Sequence, residues 1–204
     1  MFKHTFESNI QIMKKINLLF IALLATLSVS AQNWTLDRAH SSVRFSIVHM
    51  VVSETEGSFR DFSATINSSK EDFSDLTVEF VIQAKSVDTD NSSRDEHIRG
   101  VDFFEVDKYP TFVFKSESFK QIKGNQYELT GDMTIKGITK KATFNTKYNG
   151  VIEAKNGLKS GFKATTTIKR SEFNISWNKT LDKGGLALSD EVDITVNVEL
   201  NKKN

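Results

Sequence analysis

The chain predicts an all-β fold of antiparallel strands, and three observations carry that expectation. Most of it divides into short segments in which apolar and polar residues alternate, the period of a strand with one buried face. The breaks hold Gly, Asn and Lys, and Gly124-Asn125, Asn149-Gly150 and Asn156-Gly157 are hairpin signals. One stretch, residues 86–110, departs from both patterns.

The N-terminus precedes the fold. Met13-Lys14-Lys15, the apolar run 16–27 and Ser28-Val29-Ser30-Ala31 have the charged, apolar and small-residue order of a secretory signal peptide. Cleavage is expected after Ala31, giving a periplasmic or secreted protein. Residues 1–12 are an extension upstream of the second candidate start, Met13. The apolar run is short for a bilayer span, so no integral membrane segment is expected after cleavage. One domain, residues 32–204, remains.

That domain has 24 basic against 25 acidic side chains once Lys3, Lys14, Lys15 and Glu7 are removed. A near-neutral balance gives no electrostatic footprint for nucleic acid. The absence of Cys excludes thiol chemistry and cysteine metal sites, and leaves stability to burial.

The strands follow in order. Residues 34–37 open the first. Residues 42–52 form a longer one, with Val43, Phe45, Ile47, His49 and Val51 on one face. Residues 54–57 read as a turn, and Phe59 and Phe62 begin the return through Ile66. Leu76, Val78, Phe80, Ile82 and Ala84 line one face of the next strand. Phe112 and Phe114 point inward after the 86–110 excursion. Tyr127, Leu129, Met133 and Ile135 alternate with polar residues, as do Ala142, Phe144 and Tyr148. Phe162, Ala164, Thr166 and Ile168, then Val192, Ile194, Val196, Val198 and Leu200, complete the set. Eight or more such strands can hide their apolar faces in a closed barrel or in a two-sheet sandwich; periodicity does not choose.

The 86–110 excursion carries its own structure. Ser93 with Glu96 is a capping-box pattern, Asp90 and Asn91 are alternative N-caps, and Gly100 stands where a helix ends. A short helix is expected over Ser92–Arg99, followed by a turn in which Phe103 and Phe104 form a plug or lid.

Ser86-Val87-Asp88-Thr89, Arg94-Asp95 with His97, Asp102-Phe103-Phe104 and Tyr109-Pro110, in that order and spacing, resemble the signature of the YceI-like family. The resemblance runs from about Trp34 to Leu200. It implies a lipocalin-like antiparallel β-barrel of about eight strands with a short helix inserted between strands. It also implies a polyisoprenoid or quinone-type lipid held in the barrel, with no other cofactor. Arg170 with Phe173 matches a family Arg-x-Asp/Glu-Phe-Gly turn with Asn174 for Gly; Asn tolerates the left-handed conformation. Relatives usually carry a basic or apolar residue within the 53–57 stretch, where this chain has Glu54 and Glu56.

The expected ligand-lining face comprises Phe45, Ile47, His49, Val78, Phe80, Ile82, Phe112, Phe114, Phe144, Phe162, Ile168 and Ile194, with Thr166 and Ser116 as further polar members. An apolar lining with few polar groups suits a hydrophobic molecule, although an apolar barrel face is first a core. His40, His49 and His97 are the only histidines after residue 31, and none has metal-ligand spacing. His40 and His49 are expected on opposite faces of one continuous strand, and His97 is expected to tie the helix to the barrel. No nucleophile–base motif appears, so no catalytic residue is assigned. Two rivals stay open: an isomerase or hydrolase with His49 as base, and a stress-response interaction module with a filled core. The pattern does not decide whether the protein forms a homodimer.

Overall fold

The computed structural model describes residues 32–70, 72–181 and 185–202. The expected signal peptide, its cleavage site and the choice of start Met lie outside the described residues.

Alternation fixes which face of each segment is buried, and all those faces meet inside one closed sheet. Its segments are β1 (Gln32–Leu36), β2 (Ser42–His49), β3 (Ser53–Phe59), β4 (Phe62–Ser68), β5 (Thr77–Gln83), β6 (Val87–Asp88), β7 (Thr111–Lys123), β8 (Gln126–Ile135), β9 (Ile138–Ala154), β10 (Gly157–Lys169) and β11 (Leu188–Lys202). One helix, α1 (Ser92–Arg99), lies between β6 and β7. Antiparallel ladders run β1-β4-β5-β7-β8-β9-β10-β11, and β1 pairs back to β11 through Leu36 opposite Leu200. The sheet is therefore a closed eight-stranded barrel, the solution that leaves no strand edge along its circuit.

The eleven segments make eight staves because the first three staves are each broken once. β1 and β2 run in series along β11, with Leu36 opposite Leu200 and Val43 opposite Val196. β3 and β4 break at Arg60 and Asp61, and β5 and β6 break at a 3-10 turn over Ala84–Ser86. The breaks are stitched together. Asp37 accepts from Ala39 N at 3.0 Å in the first, and Arg38 donates to the carbonyls of Arg60 (2.8 Å) and Phe62 in the second. Arg60 N then donates to Ser86 O at 3.0 Å in the third. A bend line thus crosses three neighbouring staves, with β1, β4 and β5 on one side and β2, β3 and β6 on the other.

The sequence places the first hairpin turn too late. Residues 54–57 are strand, and the chain reverses at Met50 and Val51, both at positive φ. Val51 therefore leaves the inward face of β2 and stands exposed. Gly57 lies in β3 opposite Phe45, and a Cβ there would sit 2.4 Å from Phe45 Cζ. The glycine makes room for a ring in the wall; it does not make a turn.

Helix α1 covers the expected residues, capped by Asn91, whose Oδ1 accepts from Arg94 N at 3.0 Å. No cap bond joins Ser93 and Glu96, because Asn91 already satisfies the first turn. Gly100 is extended (φ −69°), and positive φ falls on Glu105 instead. Asn174 takes the left-handed conformation expected of it (φ 54°, ψ 35°) and ends the 3-10 turn Arg170–Phe173.

Candidate functional site: an apolar barrel cavity

The two ends of the barrel differ. At one end residues 72–76 fold inward and place Phe73, fully buried, beneath Trp34, Tyr148 and Phe162 at ring separations of 5.0, 5.5 and 5.1 Å. Phe119 stacks on Tyr127 at 4.5 Å beside them. Asp75 holds the loop by accepting from Ser68 Oγ (2.6 Å), Ser69 N (2.9 Å) and Ser69 Oγ. Those hydrogen bonds keep its carboxyl well below the usual carboxylate range. This end is a floor, and Trp34 Nε1 is buried in it without a hydrogen-bond partner.

Above the floor lies a cavity of about 440 Å³, within the range of small-molecule sites. Its walls contain all twelve residues of the expected lining: Phe45, Ile47, His49, Val78, Phe80, Ile82, Phe112, Phe114, Phe144, Phe162, Ile168 and Ile194. Phe103 and Phe104 line it as well. The register explains the convergence: Phe80 faces Phe114, Ile82 faces Phe112 and Ile194 faces Phe45 across neighbouring staves. Open space at the barrel centre does not fit the filled-core rival.

Two expected polar members are not in the wall. Ser116 sits beside an irregularity in the β7–β8 register and accepts from Val78 N at 2.7 Å. Thr166 Oγ1 donates to Thr143 O at 2.8 Å, in the neighbouring stave β9.

At the other end, β6 pairs with β3, β7 pairs with β5 and β8, and among the described residues no ladder joins β6 to β7. Residues 89–110 cover that seam. Asp95, buried, accepts from Thr89 N (2.9 Å) and Thr89 Oγ1 (2.6 Å), while Arg94 donates to Thr89 Oγ1 and Thr89 O, each at 2.7 Å. Arg99 donates to Lys85 O and Val87 O, both at 2.8 Å, which pins α1 to the bend. Phe104 meets Phe112 edge-on at 4.9 Å, and Phe103 packs on Trp177 at 5.3 Å. His97 lies 2.9 Å from Asp102 and edge-on to Phe103 and Trp177. Its contacts join α1 to the turn after it and to Trp177.

Some wall residues carry no signal in the alternation. Trp177 and Ile175 come from the irregular segment after β10, where only the short Ile175-x-Trp177 spacing hints at a buried face. Arg170 is buried in the wall and donates to the carbonyls of Ser189, Ile175 and Trp177, each at 2.8 Å. Burial pulls its guanidinium below the usual value. The Arg-x-Glu-Phe-Asn turn is therefore a clamp that ties Ile175 and Trp177 to β11 at the mouth. Phe73, the floor plug, is a lone aromatic in a polar loop, and the alternation gives no hint of its role.

Reactive groups do not gather in the cavity. His49 stands at the end of β2, and among the described residues no hydrogen bond or ion pair joins its ring to an acid. His40 is not on a continuous strand with His49; it lies in the first stave break, outside the wall, 3.2 Å from Asp37 and 3.8 Å from Glu199. This trio has the donors of a metal site, but Lys159 Nζ already pairs there with Asp37 (3.4 Å) and Glu199. Hydrogen bonds from Asn201 and His40 hold the Asp37 carboxyl well below its usual range. The cluster reads as a knot that fastens the first stave to β11.

A closed eight-stranded barrel around an apolar cavity, with a helix laid over one seam, is the architecture of lipocalin-like binding folds. The chain belongs to the YceI-like domain family, whose pattern it matches over residues 34–200. It is 36% identical over 173 residues to a UPF0312 protein of Staphylococcus aureus, covering 83% of this chain and 97% of that one. The crystal structure of Burkholderia cenocepacia BcnA superposes with a TM-score of 0.69 at 29% identity, covering 80% of this chain and 98% of that one. A Campylobacter jejuni YceI protein gives 0.67 at 32%, covering 83% and 98%. A polyisoprenoid binding domain from Saccharophagus degradans shares the fold, with a TM-score of 0.62 at 12% identity over 85% and 99%.

Proposed function

We propose that this protein is an exported carrier that holds a polyisoprenoid or quinone-type lipid in its barrel and performs no chemistry on it. The observation that carries the reading is the cavity itself: about 440 Å³ walled almost entirely by aromatic and aliphatic side chains. Water gains little in such a space, whereas each ligand methylene moved into it contributes about 0.8 kcal/mol. Several isoprene units outweigh the cost of ordering a flexible chain. The polyisoprenoid-binding neighbour of the same fold supports this ligand class. The N-terminal sequence pattern supports export to the periplasm or beyond.

The few polar groups suit anchoring. Arg94 and Arg170 are committed to the carbonyls and hydroxyl that shape the mouth. Arg44, Thr55, His97 and Thr146 also line the cavity, and His49 is the group assigned to hydrogen-bond a head group. Protonation by His49 alone would lack the partner that orients a catalytic base, so a binding role fits its surroundings better than the enzyme reading.

Mass spectrometry of an organic extract of the purified protein tests the proposal. An apolar lipid near one equivalent is expected, and an empty extract from folded protein defeats it. Phe114→Asp puts a charge into the wall and is expected to abolish lipid uptake. Circular dichroism must first show that the barrel persists, and Phe114→Trp offers a milder loss of room if it does not.

A further inference from the structure

The mouth carries an apolar rim that the fold does not need. Met50, Val51 and Val52 form the tip of the β2–β3 hairpin, and Val51 and Val52 are 78 and 86% exposed. Leu186, also exposed, lies next to Ala187, whose carbonyl accepts from Met50 N at 2.8 Å. His49, Ala187 and Leu188 line the cavity. The tip is thus fastened to the cavity's edge, where apolar Ala187 and Leu188 and the polar His49 lead from the interior to the exposed rim.

The backbone at this tip is strained in a way the other hairpins avoid. Met50 and Val51 hold φ of 51° and 66°. The β8–β9 hairpin uses the same sign pattern, 50° and 74°, but places Gly137 second. Asn and Gly adopt such turns readily, whereas a β-branched residue at positive φ is an outlier. Two costs therefore fall on one spot: unfavourable dihedrals and apolar side chains held in water. Both serve a purpose if the tip works in an apolar medium.

We propose that this rim docks on a neutral phospholipid bilayer, with Met50, Val51 and Val52 entering the head-group–acyl boundary, so that lipid passes between leaflet and cavity without crossing water. A narrow three-residue projection suits insertion between lipids; a protein partner would favour a broader, flatter face. The charge pattern favours a neutral surface. The barrel is near neutral overall, and exposed Glu54, accepting from Ser46 Oγ at 3.0 Å, flanks the tip. The identity of the exchanged molecule rests on the carrier reading above; docking itself rests on the rim.

Flotation of the Gln32–Asn204 unit, whose barrel closes on its own strands, with phosphatidylcholine vesicles tests this without the apolar run 16–27. The unit is expected to float with the vesicles, with little dependence on salt. Met50→Asn combined with Val51→Gly supplies a relaxed turn, so it is expected to raise the melting temperature while lowering vesicle partitioning at least about tenfold. Ile122→Ser, at the floor end, is expected to change nothing. A parent unit that stays in the aqueous phase, or a double variant that floats as well as the parent, overturns the proposal. So does light scattering that shows the tip holding two copies together with no change in flotation. Extracting the same samples separates the two readings. Lipid present without flotation defeats docking alone; flotation of an empty barrel supports docking and defeats the carrier reading.

Discussion

The floor and the mouth of this barrel are built from the same kind of residue used in opposite ways. At the floor, Phe73, Trp34, Tyr148 and Phe162 bury their rings against one another, and a hydrogen-bonded loop keeps them there. At the mouth, Met50, Val51, Val52, Val101 and Leu186 stand in solvent beside an open apolar wall. Hydrophobic burial stabilises the first region throughout, whereas in the second it reaches Phe103 and Ile175 but not the tip and rim. The difference teaches that the two ends are closed differently: the staves are sealed where Phe73 enters, while at the other end, among the described residues, 89–110, 174–181 and 185–187 lie beside the cavity.

The sharpest way to break the comparison is to unseal the floor. Phe73→Ala removes a fully buried ring and is expected to cost about 3–5 kcal/mol in a urea titration, the range for large aromatic truncations in cores. If the barrel survives, the cavity should extend downward and a dye that fluoresces in apolar sites should bind more strongly. A loss below about 1 kcal/mol would mean that Phe73 is not the plug.

The corresponding test at the mouth is smaller. Arg170→Ala leaves the carbonyls of Ser189, Ile175 and Trp177 without their donor, at an expected cost of about 2–3 kcal/mol. Arg170→Lys should recover little, since one ammonium does not reproduce the guanidinium's fork. Hydrogen exchange is expected to rise over residues 174–181 and to stay unchanged at residues 72–76. Uniform exchange across both ends would dissolve the distinction between them.

How much of this was legible in the sequence follows from the physics of each part. Period-two alternation marks inward residues whatever their partners, so the wall from Phe45 to Ile194 could be read before any stave was paired. Closure could not, because a sandwich hides the same faces; the Leu36–Leu200 pairing that completes the circuit joins residues far apart in the chain. The short helix was legible from its cap residues, which act locally. Turns written without turn residues were not. Met50-Val51 lacks the Asn or Gly that announces a hairpin, and Gly57 drew the expectation to the wrong place because it serves Phe45 instead. Phe73, Arg170 and Trp177 act through tertiary contacts from irregular segments, where no period exists to reveal them.

The smallest expected effect uses pH to sharpen the contrast, and the chain's two tryptophans supply the readout, with Trp34 in the floor and Trp177 at the mouth. The Asp75 carboxyl titrates below its ordinary 3.8 because Ser68 and Ser69 donate hydrogen bonds to its charged form. A carboxyl depressed on folding contributes stability that is full above the unfolded value and is lost as pH falls from there through the folded one. Neighbouring Asp72 is shifted the same way by Ser74 and adds to the trend. In a Trp177→Phe background, Trp34 emission is therefore expected to shift to the red as pH drops below about 4, while far-UV dichroism still reports an intact barrel. Asp75→Asn should remove most of that step by weakening the loop at every pH. Trp34 emission that stays constant until the whole barrel unfolds would show that the floor loop does not depend on this carboxylate.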